Sequence, residues 1–556
     1  MKFGIGSSYG PAYQNFLFNG DGIAQFSNGV PLRLLAEDTP VYEKFYLNND
    51  LGIYGQDTWT FKHLAITAGL RWEYLNNDIN PQSAPAGRFV PARNFPLIDC
   101  NRIKGLSCFK DWSPRLGGVY DVFGNHKTAV KAGIGKYNTP LVQQNLNNFN
   151  PMLLTNEAVF WNGGTTACFA TNAPAACYPT GGFAAPGTPT SQVPLGQLGV
   201  NPNPSFGVLP NISLDPNFHR EYQWQYNIGV QQQVWRGITA NFVWNRVSDY
   251  QQQLLLNYAI PQSAWTPASI TNPLDGTPIT VYNLAQNYVG LTPVLHETNA
   301  PQSLRSNYYQ GFESSVTGRL AHGGFFNFGW TIERQIDKEC DQTAGANYLN
   351  DPNYNRFCDW SGGLYQSLGK NVGIPFRNEF QMQANMPIRW GIEGSISIYS
   401  APVFSQYTTY QTTTYTPLTV FAGDQSGFRM VNWTITPSTT YPMNCNCPTP
   451  GAKVDPGLNQ GSETIQLVAP GSVLSPRYNQ VDVGIRKKFT FHDKYSLMGQ
   501  LQVFNLINTS TVLNESYALG SSITPFLPTS KGGLGGGTPS VIANPRMFQL
   551  GLQFKF

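Results

Sequence analysis

The sequence predicts an all-β fold, a transmembrane antiparallel β-barrel, on three observations. Apolar and polar residues alternate with a period of two in segment after segment of the 556-residue chain. Short and long connections follow one another in turn. No run of about 18 apolar residues offers a membrane-spanning helix. Only 12% of residues are charged, against roughly 25% in ordinary soluble proteins, while aromatics reach 13%. That composition argues against disorder, and a net charge of +3 argues against a nucleic-acid partner.

Each strand is read from its alternation, because successive side chains point to opposite sides of a sheet. Lys2 opens the first. Leu64, Ile66, Ala68, Leu70, Trp72 and Tyr74 alternate with Thr67, Gly69, Arg71 and Glu73. Tyr222, Trp224, Tyr226, Ile228 and Val230 alternate with glutamines and asparagine, and Ile238, Ala240, Phe242 and Trp244 with Thr239, Asn241 and Asn245. Phe326, Phe328, Trp330 and Ile332 form another stripe, as do Phe376, Phe380, Met382 and Met386, then Trp390, Ile392, Ile396 and Ile398. Weaker strands begin near Leu51, Arg115, Thr128, Tyr308, Tyr478 and Tyr495. The last, Arg546–Phe556, sets Phe548, Leu550, Leu552, Phe554 and Phe556 against Gln549, Gly551, Gln553 and Lys555. With segments of about 9–11 residues or more this makes about fourteen strands.

Short turns fall near Lys62, Gly124, Arg236, His322, Ile388 and Asp493. Long polar loops are expected at about 8–45, 75–111, 138–218, 247–304, 334–374, 401–475 and 511–544, within one domain spanning 1–556. Short periplasmic turns and long extracellular loops are the asymmetry of an outer-membrane barrel, which places the chain in the bacterial outer membrane with lipid and lipopolysaccharide as partners. All eight cysteines fall in expected extracellular loops, two to a loop: Cys100 and Cys108, Cys168 and Cys177, Cys340 and Cys358, Cys445 and Cys447. Local disulfides in an oxidising compartment fit that placement. With a single residue between them, Cys445 and Cys447 are equally open to a free or alternatively paired state.

Several patterns invite chemistry and fail its requirements. Gly6-Ser7-Ser8-Tyr9-Gly10 matches the serine-hydrolase elbow, but Pro11 follows and no helix does, so a glycine-rich strand end is the better reading. Lys531 to Gly537 lacks the ending of a phosphate loop. Asp337, Glu339, Asp341, Asp351 and Asp359 do not have EF-hand spacing and read as a solvated acidic loop. We expect no enzyme activity, no metal and no cofactor. The inward polar set Arg71, Glu73, Glu221, Gln223, Gln225, Glu313, Arg319, Arg377, Glu379, Glu393, Asp482 and Arg486 is expected to line the lumen. Lumen walls are polar in any case, and such charges can grip a plug as readily as a substrate. Trp72, Tyr74, Trp224, Trp244, Trp330 and Trp390 are expected among the interfacial aromatic girdles.

Tyr54-Gly55-Gln56-Asp57-Thr58-Trp59, Gly69-Leu70-Arg71-Trp72-Glu73-Tyr74, Ser113-Pro114-Arg115-Leu116-Gly117 and Phe504-Asn505-Leu506-Ile507-Asn508, with the closing strand, resemble the TonB-dependent outer-membrane transporters. Among these the chain is most similar to the Oar-like proteins with a carboxypeptidase-regulatory-like domain. The resemblance implies a plugged barrel of about 22 strands energised by the TonB complex and importing a scarce nutrient, such as a metal chelate, oligosaccharide or peptide. The plug and about eight strands have no counterpart here, and Met1–Gly10 does not read as a signal peptide. We therefore expect the carboxy-terminal part of a longer protein, meeting TonB through an amino-terminal part. A free-standing fourteen-stranded passive porin, or a surface adhesin acting through its loops, are the alternatives.

Overall fold

The computed structural model describes residues 1–27, 30–100, 108–140, 146, 149–160, 206–207, 212–289, 291, 294–320, 323–336, 338, 340, 351–353, 356–358, 376–402, 418–422, 429–436, 439–441, 445–454, 456–467, 477–491, 495–516 and 538–556. Fourteen strands form one antiparallel sheet in which each pairs with its sequence neighbours. They are β1 (Lys2–Phe16), β2 (Val41–Phe61), β3 (Leu64–Ile79), β4 (Cys108–Asp121), β5 (Thr128–Asn138), β6 (Tyr222–Trp235) and β7 (Ile238–Tyr250). The second half comprises β8 (Tyr308–Arg319), β9 (Phe325–Ile336), β10 (Arg377–Pro387), β11 (Ile392–Pro402), β12 (Arg477–Phe491), β13 (Tyr495–Phe504) and β14 (Met547–Lys555). No helix among the described residues is long and apolar enough to cross a membrane.

Register carries one apolar face across the whole sheet, since residues directly opposite in antiparallel strands share a face. Leu70 lies opposite Pro114 and Leu116 opposite Ile134; Ile134 lies opposite Tyr226. The same face continues through Trp244–Phe312, Phe312–Ile332 and Phe328–Met382. It runs on through Met382–Ile398, Ile396–Val483, Val483–Val503 and Leu501–Leu550. A slip of one residue in any pair would turn its greasy side chains the other way, so the alternation itself fixes the pairing. Leu550 and Leu552 are each 82% exposed. Such a surface has no place in water, but it is an ordinary wall in hydrocarbon.

The first and last strands are each paired on one side only: β1 with β2, and β14 with β13. The two edges of the sheet are thus free among the described residues.

The loops depart from a merely polar character. The first is shorter than 8–45, because β1 and β2 stay paired to Phe16 and Val41, past a register shift at Ser8/Gly10. Above it, the strands Gly22–Ser27, Val30–Glu37 and Asn156–Phe160 pair into a small sheet that joins the first and third loops. Arg93 of the second loop forms a buried ion pair with Asp38 at 3.0 Å and donates to the carbonyls of Gly207 and Pro40 at 2.9 and 2.8 Å.

A second cap combines the fourth, fifth and sixth long loops. Ile270, Ile279 and Val281 of the fourth pack with Trp433, Ile435, Ile465 and Leu467 of the sixth. Asn353 of the fifth loop exchanges two hydrogen bonds with the Tyr282 backbone, at 2.7 and 2.8 Å. Each fully buried large side chain of such a core contributes about 1.5–3 kcal/mol, which holds long connections in place without a scaffold beneath them.

Cys100 and Cys108 are bridged with Cα atoms 5.9 Å apart, and Cys340 and Cys358 with Cα atoms 4.8 Å apart. Cys445 and Cys447 are joined at a Cα separation of 5.2 Å. Cys168 and Cys177 lie outside the described residues, as do the acidic positions Asp337, Glu339, Asp341 and Asp359 and the Lys531–Gly537 run. Cys108 is not in a loop: it opens β4, because β3 extends to Ile79 and Asn76 takes it as a ladder partner.

Two outcomes follow from this packing. Leu552→Arg, placing a charge on the apolar face, should destabilise the folded protein in lipid by about 2–4 kcal/mol near the midplane; urea unfolding in vesicles measures it, and a neutral result would place that face elsewhere than in lipid. In the second cap, burial and then the neighbouring Asp351 carboxylate push Glu463 from 4.5 up to about 7. The folded form therefore holds the proton that the unfolded chain releases above pH 4.5, so cap stability falls as pH rises from about 4.5 to 7 and stays low above. Glu463→Gln should flatten that dependence and raise hydrogen-exchange protection of 279–284 at pH 8.

Candidate functional site

Alternation sends the other face of every strand to one side, and there the register gathers the charged residues into discrete groups. In β4 to β12 every carboxylate belongs to this inward face: Asp111, Asp121, Asp249, Glu313, Glu333, Glu379, Glu393 and Asp482.

The first group lies at the loop end of β3 to β6. The Arg71 guanidinium donates to Glu73 at 2.6 Å, and Arg220 reaches Glu73 at 3.2 Å and Asp111 at 3.4 Å. Arg220 also donates to the Thr139 carbonyl at 2.7 Å, and the Asn138 amide donates to Glu73 and Ser113 at 3.1 and 2.9 Å. Gly52 makes room for this: a Cβ there would collide with the Arg71 guanidinium lying across the strand. Arg220 is 8% exposed. Burying a cation is costly unless it is paired and hydrogen-bonded, and here it is both.

A second group is centred on Arg377, 6% exposed, which bridges Glu333 and Glu379 at 2.9 Å each. The Tyr309 hydroxyl donates to the other Glu333 oxygen at 2.8 Å. Farther along, Arg486 donates to Glu393 at 2.6 Å, with both side chains nearly half exposed. Asp482 accepts from the Gln480 amide at 2.8 Å and from the Asn505 backbone at 2.8 Å, tying the wall to the last loop.

The remaining positions are more dispersed. Gln225 donates weakly to Gln223 at 3.4 Å, and Glu313 accepts from Asn245 at 3.0 Å. Glu221 precedes β6, where its carbonyl accepts from Thr139 at 2.9 Å. Arg319 closes β8 at the short-turn end, its N–H donating to Gly237 at 2.8 Å. The sequence reading left out Arg220, Asp111, Glu333 and Tyr309. Glu333 and Asp111 carried the signal in their parity. Arg220 has outward parity and turns in only because the strand begins two residues later.

Above these groups the inward face becomes apolar, against the expectation of a polar lining throughout. Phe45, Leu75, Ile79 and Phe109 of the wall pack with Leu146, Phe149, Leu214 and Phe218 of the third loop. Beside this cluster lies a pocket of about 420 Å³, lined by Tyr9, Ala12, Leu47, Asp50, Asn77, Leu146 and Arg220 among others. The arrangement offers an apolar shelf with one buried cation at its base. Among the described residues no cluster of histidine, cysteine and carboxylate side chains has the makings of a metal site.

Removing the two arginines should separate structural from surface pairs. Arg377→Ala leaves two carboxylates facing each other and should cost about 3–5 kcal/mol, whereas Arg486→Ala should cost less than about 1 kcal/mol. Equal losses in urea unfolding of the full-length protein would contradict this ranking.

The family model described as "Outer membrane beta barrel domain" matches residues 3–549. No curated protein sequence matches the chain. Among solved structures, the outer membrane transporter YddB from Escherichia coli aligns at 9% identity with a TM-score of 0.38, over 94% of this chain and 55% of that one. The siderophore receptor PirA from Acinetobacter baumannii aligns at 10% identity and a TM-score of 0.38, over 100% and 60%. The ferric yersiniabactin uptake receptor FyuA from Yersinia pestis gives 10% and 0.38, over 94% and 48%. The chain thus spans about half the length of the solved structures it matches.

Proposed function

We propose an active-transport role for this chain, which belongs to the outer membrane beta barrel domain family and resides in the bacterial outer membrane. In this reading it forms most of the wall of a TonB-dependent transporter of the Oar-like kind. It imports a scarce nutrient, such as a metal chelate, oligosaccharide or peptide, and meets the TonB complex through a plug-bearing part outside this sequence.

The observation that carries the reading is the pair of free edges. The strand edge of β1 and that of β14 present unpaired backbone groups beside exposed Phe3, Ile5, Phe548 and Leu550. Hydrocarbon offers such groups no partner, so a spanning sheet must close on itself or be completed by other strands. A passive fourteen-stranded porin would be supported by a ladder between β1 and β14, and the described sheet has none. Completion by further strands gives a wider ring, and the widest outer-membrane transporters carry a plugged lumen. The paired charges of the inward wall suit contact with such a plug, and the motifs around Gln56-Asp57 and Gly69-Leu70-Arg71 point to the same family.

Two measurements test the proposal. The full-length protein in planar bilayers should be electrically silent, and a steady open-pore conductance would instead support the porin. Growth on the limiting nutrient should be lost equally on deleting this protein or the inner-membrane energising complex; growth that survives loss of the complex would overturn active transport.

A further inference from the structure

Below the Glu73 group the inward wall is hollowed. Two neighbouring rows of the ladder cross it there, from β2 to β6. One row runs Gln56, Gly69, Arg115, Gly135 and Gln225, and the next brings Thr67, Gly117, Gly133 and Asn227 together. Glycines stand on both sides of Arg115, so the wall sinks around that one long side chain. The result is a pocket of about 180 Å³ opening to the lumen, lined by these residues and Tyr137.

Its parts are placed by close approach. The Tyr137 ring folds back over Gly135, where a Cβ would stand 2.9 Å from it, and the Asn227 amide lies over Gly133 at the same distance. Gly69 and Gly117 have nothing closer than 3.5 Å to such an atom, and they leave the floor open. The Arg115 guanidinium rests 4.4 Å from the centre of the Tyr137 ring. A guanidinium held on a ring face keeps its planar fork of N–H donors turned outward, ready for a carboxylate.

The carboxylates of the adjoining wall are engaged elsewhere. Glu73 and Asp111, two rows above, are taken by Arg71 and Arg220, and Asp121 at the turn accepts from the Gly124 and His126 backbones. Among the described residues Arg115 has a ring for a neighbour and no carboxylate. One cation calls for one negative charge. The side-chain amides of Gln56, Gln225 and Asn227 around it each offer a donor and an acceptor, the complement of a peptide group.

We infer that this pocket receives the carboxy-terminal end of a peptide, its carboxylate on the Arg115 fork and its last peptide group among the three amides. The assignment rests on the transport reading and narrows its nutrient to peptides. Charge-assisted bidentate pairing supplies the affinity, and the amides set the orientation.

Saturation-transfer NMR on the full-length protein in detergent micelles tests this with trialanine as the probe and trialanine amide as its uncharged-end control. The wild type should bind trialanine at least about tenfold more tightly than the amide, the value of one charge-assisted contact. Arg115→Gln should remove that preference. Gly117→Val, whose Cβ would meet only the Ala132 carbonyl at 3.7 Å, should fill the pocket and abolish binding without disturbing the strand. Inorganic phosphate should not displace the peptide. Equal binding of acid and amide, no binding of either, an unchanged preference in Arg115→Gln, or displacement by phosphate would each overturn the assignment. The comparison of acid with amide needs no variant, so a substitution that fails to fold leaves it decisive. Equilibrium binding does not require the energising complex. Growth that survives loss of that complex, with the preference for the acid intact, would overturn active transport alone; energised growth without the preference would overturn this assignment alone.

Discussion

Everything in this molecule follows from the need to satisfy backbone N–H and C=O groups where no water can reach them. A sheet does so between strands rather than within them, which commits each strand to a partner on both sides. It also commits every second side chain to lipid and every other one to the interior. The apolar stripe that crosses from Leu70 to Leu550 and the carboxylates opposite it are two results of one constraint. At β1 and β14 the constraint is unmet within the sheet among the described residues.

Charge is sorted by the same geometry. Inward carboxylates find inward arginines, because neighbouring strands bring residues of like parity face to face: Glu333 opposite Arg377, and Glu393 opposite Arg486. How much each pair matters depends on burial. Arg377 and Arg220 are nearly enclosed and bound to more than one acceptor, so their loss would strand carboxylates in a confined space. The Glu393–Arg486 pair is open to solvent and is screened. Outward cations meet a different partner, the ring face of tyrosine or phenylalanine, which suits the boundary between hydrocarbon and headgroup.

The alternation was legible from residue spacing alone, since a period of two is a local property and survives in every strand from Leu64 to Phe554. The asymmetry of turns and loops was legible for the same reason. The loops were not. Nothing in the spacing of Ile279, Trp433 and Ile465 says that residues so distant in sequence share a core, because their partners are set by tertiary contact and not by periodicity. The ends of the strands misled in a similar way. Arg220 has the parity of a lipid-facing residue and Cys108 lies in what reads as loop, yet one turns inward before its strand begins and the other opens a strand. Where Phe45, Leu75 and Phe109 stand, parity is kept while polarity reverses, since the loop has replaced water as the neighbour.

That reversal links the loops to the wall unequally. The third loop shares a core with β2, β3 and β4 and meets Arg220, whose guanidinium is bound to Glu73 and Asp111 of the wall and to the Thr139 carbonyl. Moving this loop would expose Phe149 and Phe218 and unpair a buried cation at once, so the loop and the inner wall behave as one mechanical unit. The second cap is different: its core of Ile270, Ile279, Trp433 and Ile465 is built from loop residues alone. Its packing is internal to the loops and leaves the inward wall out.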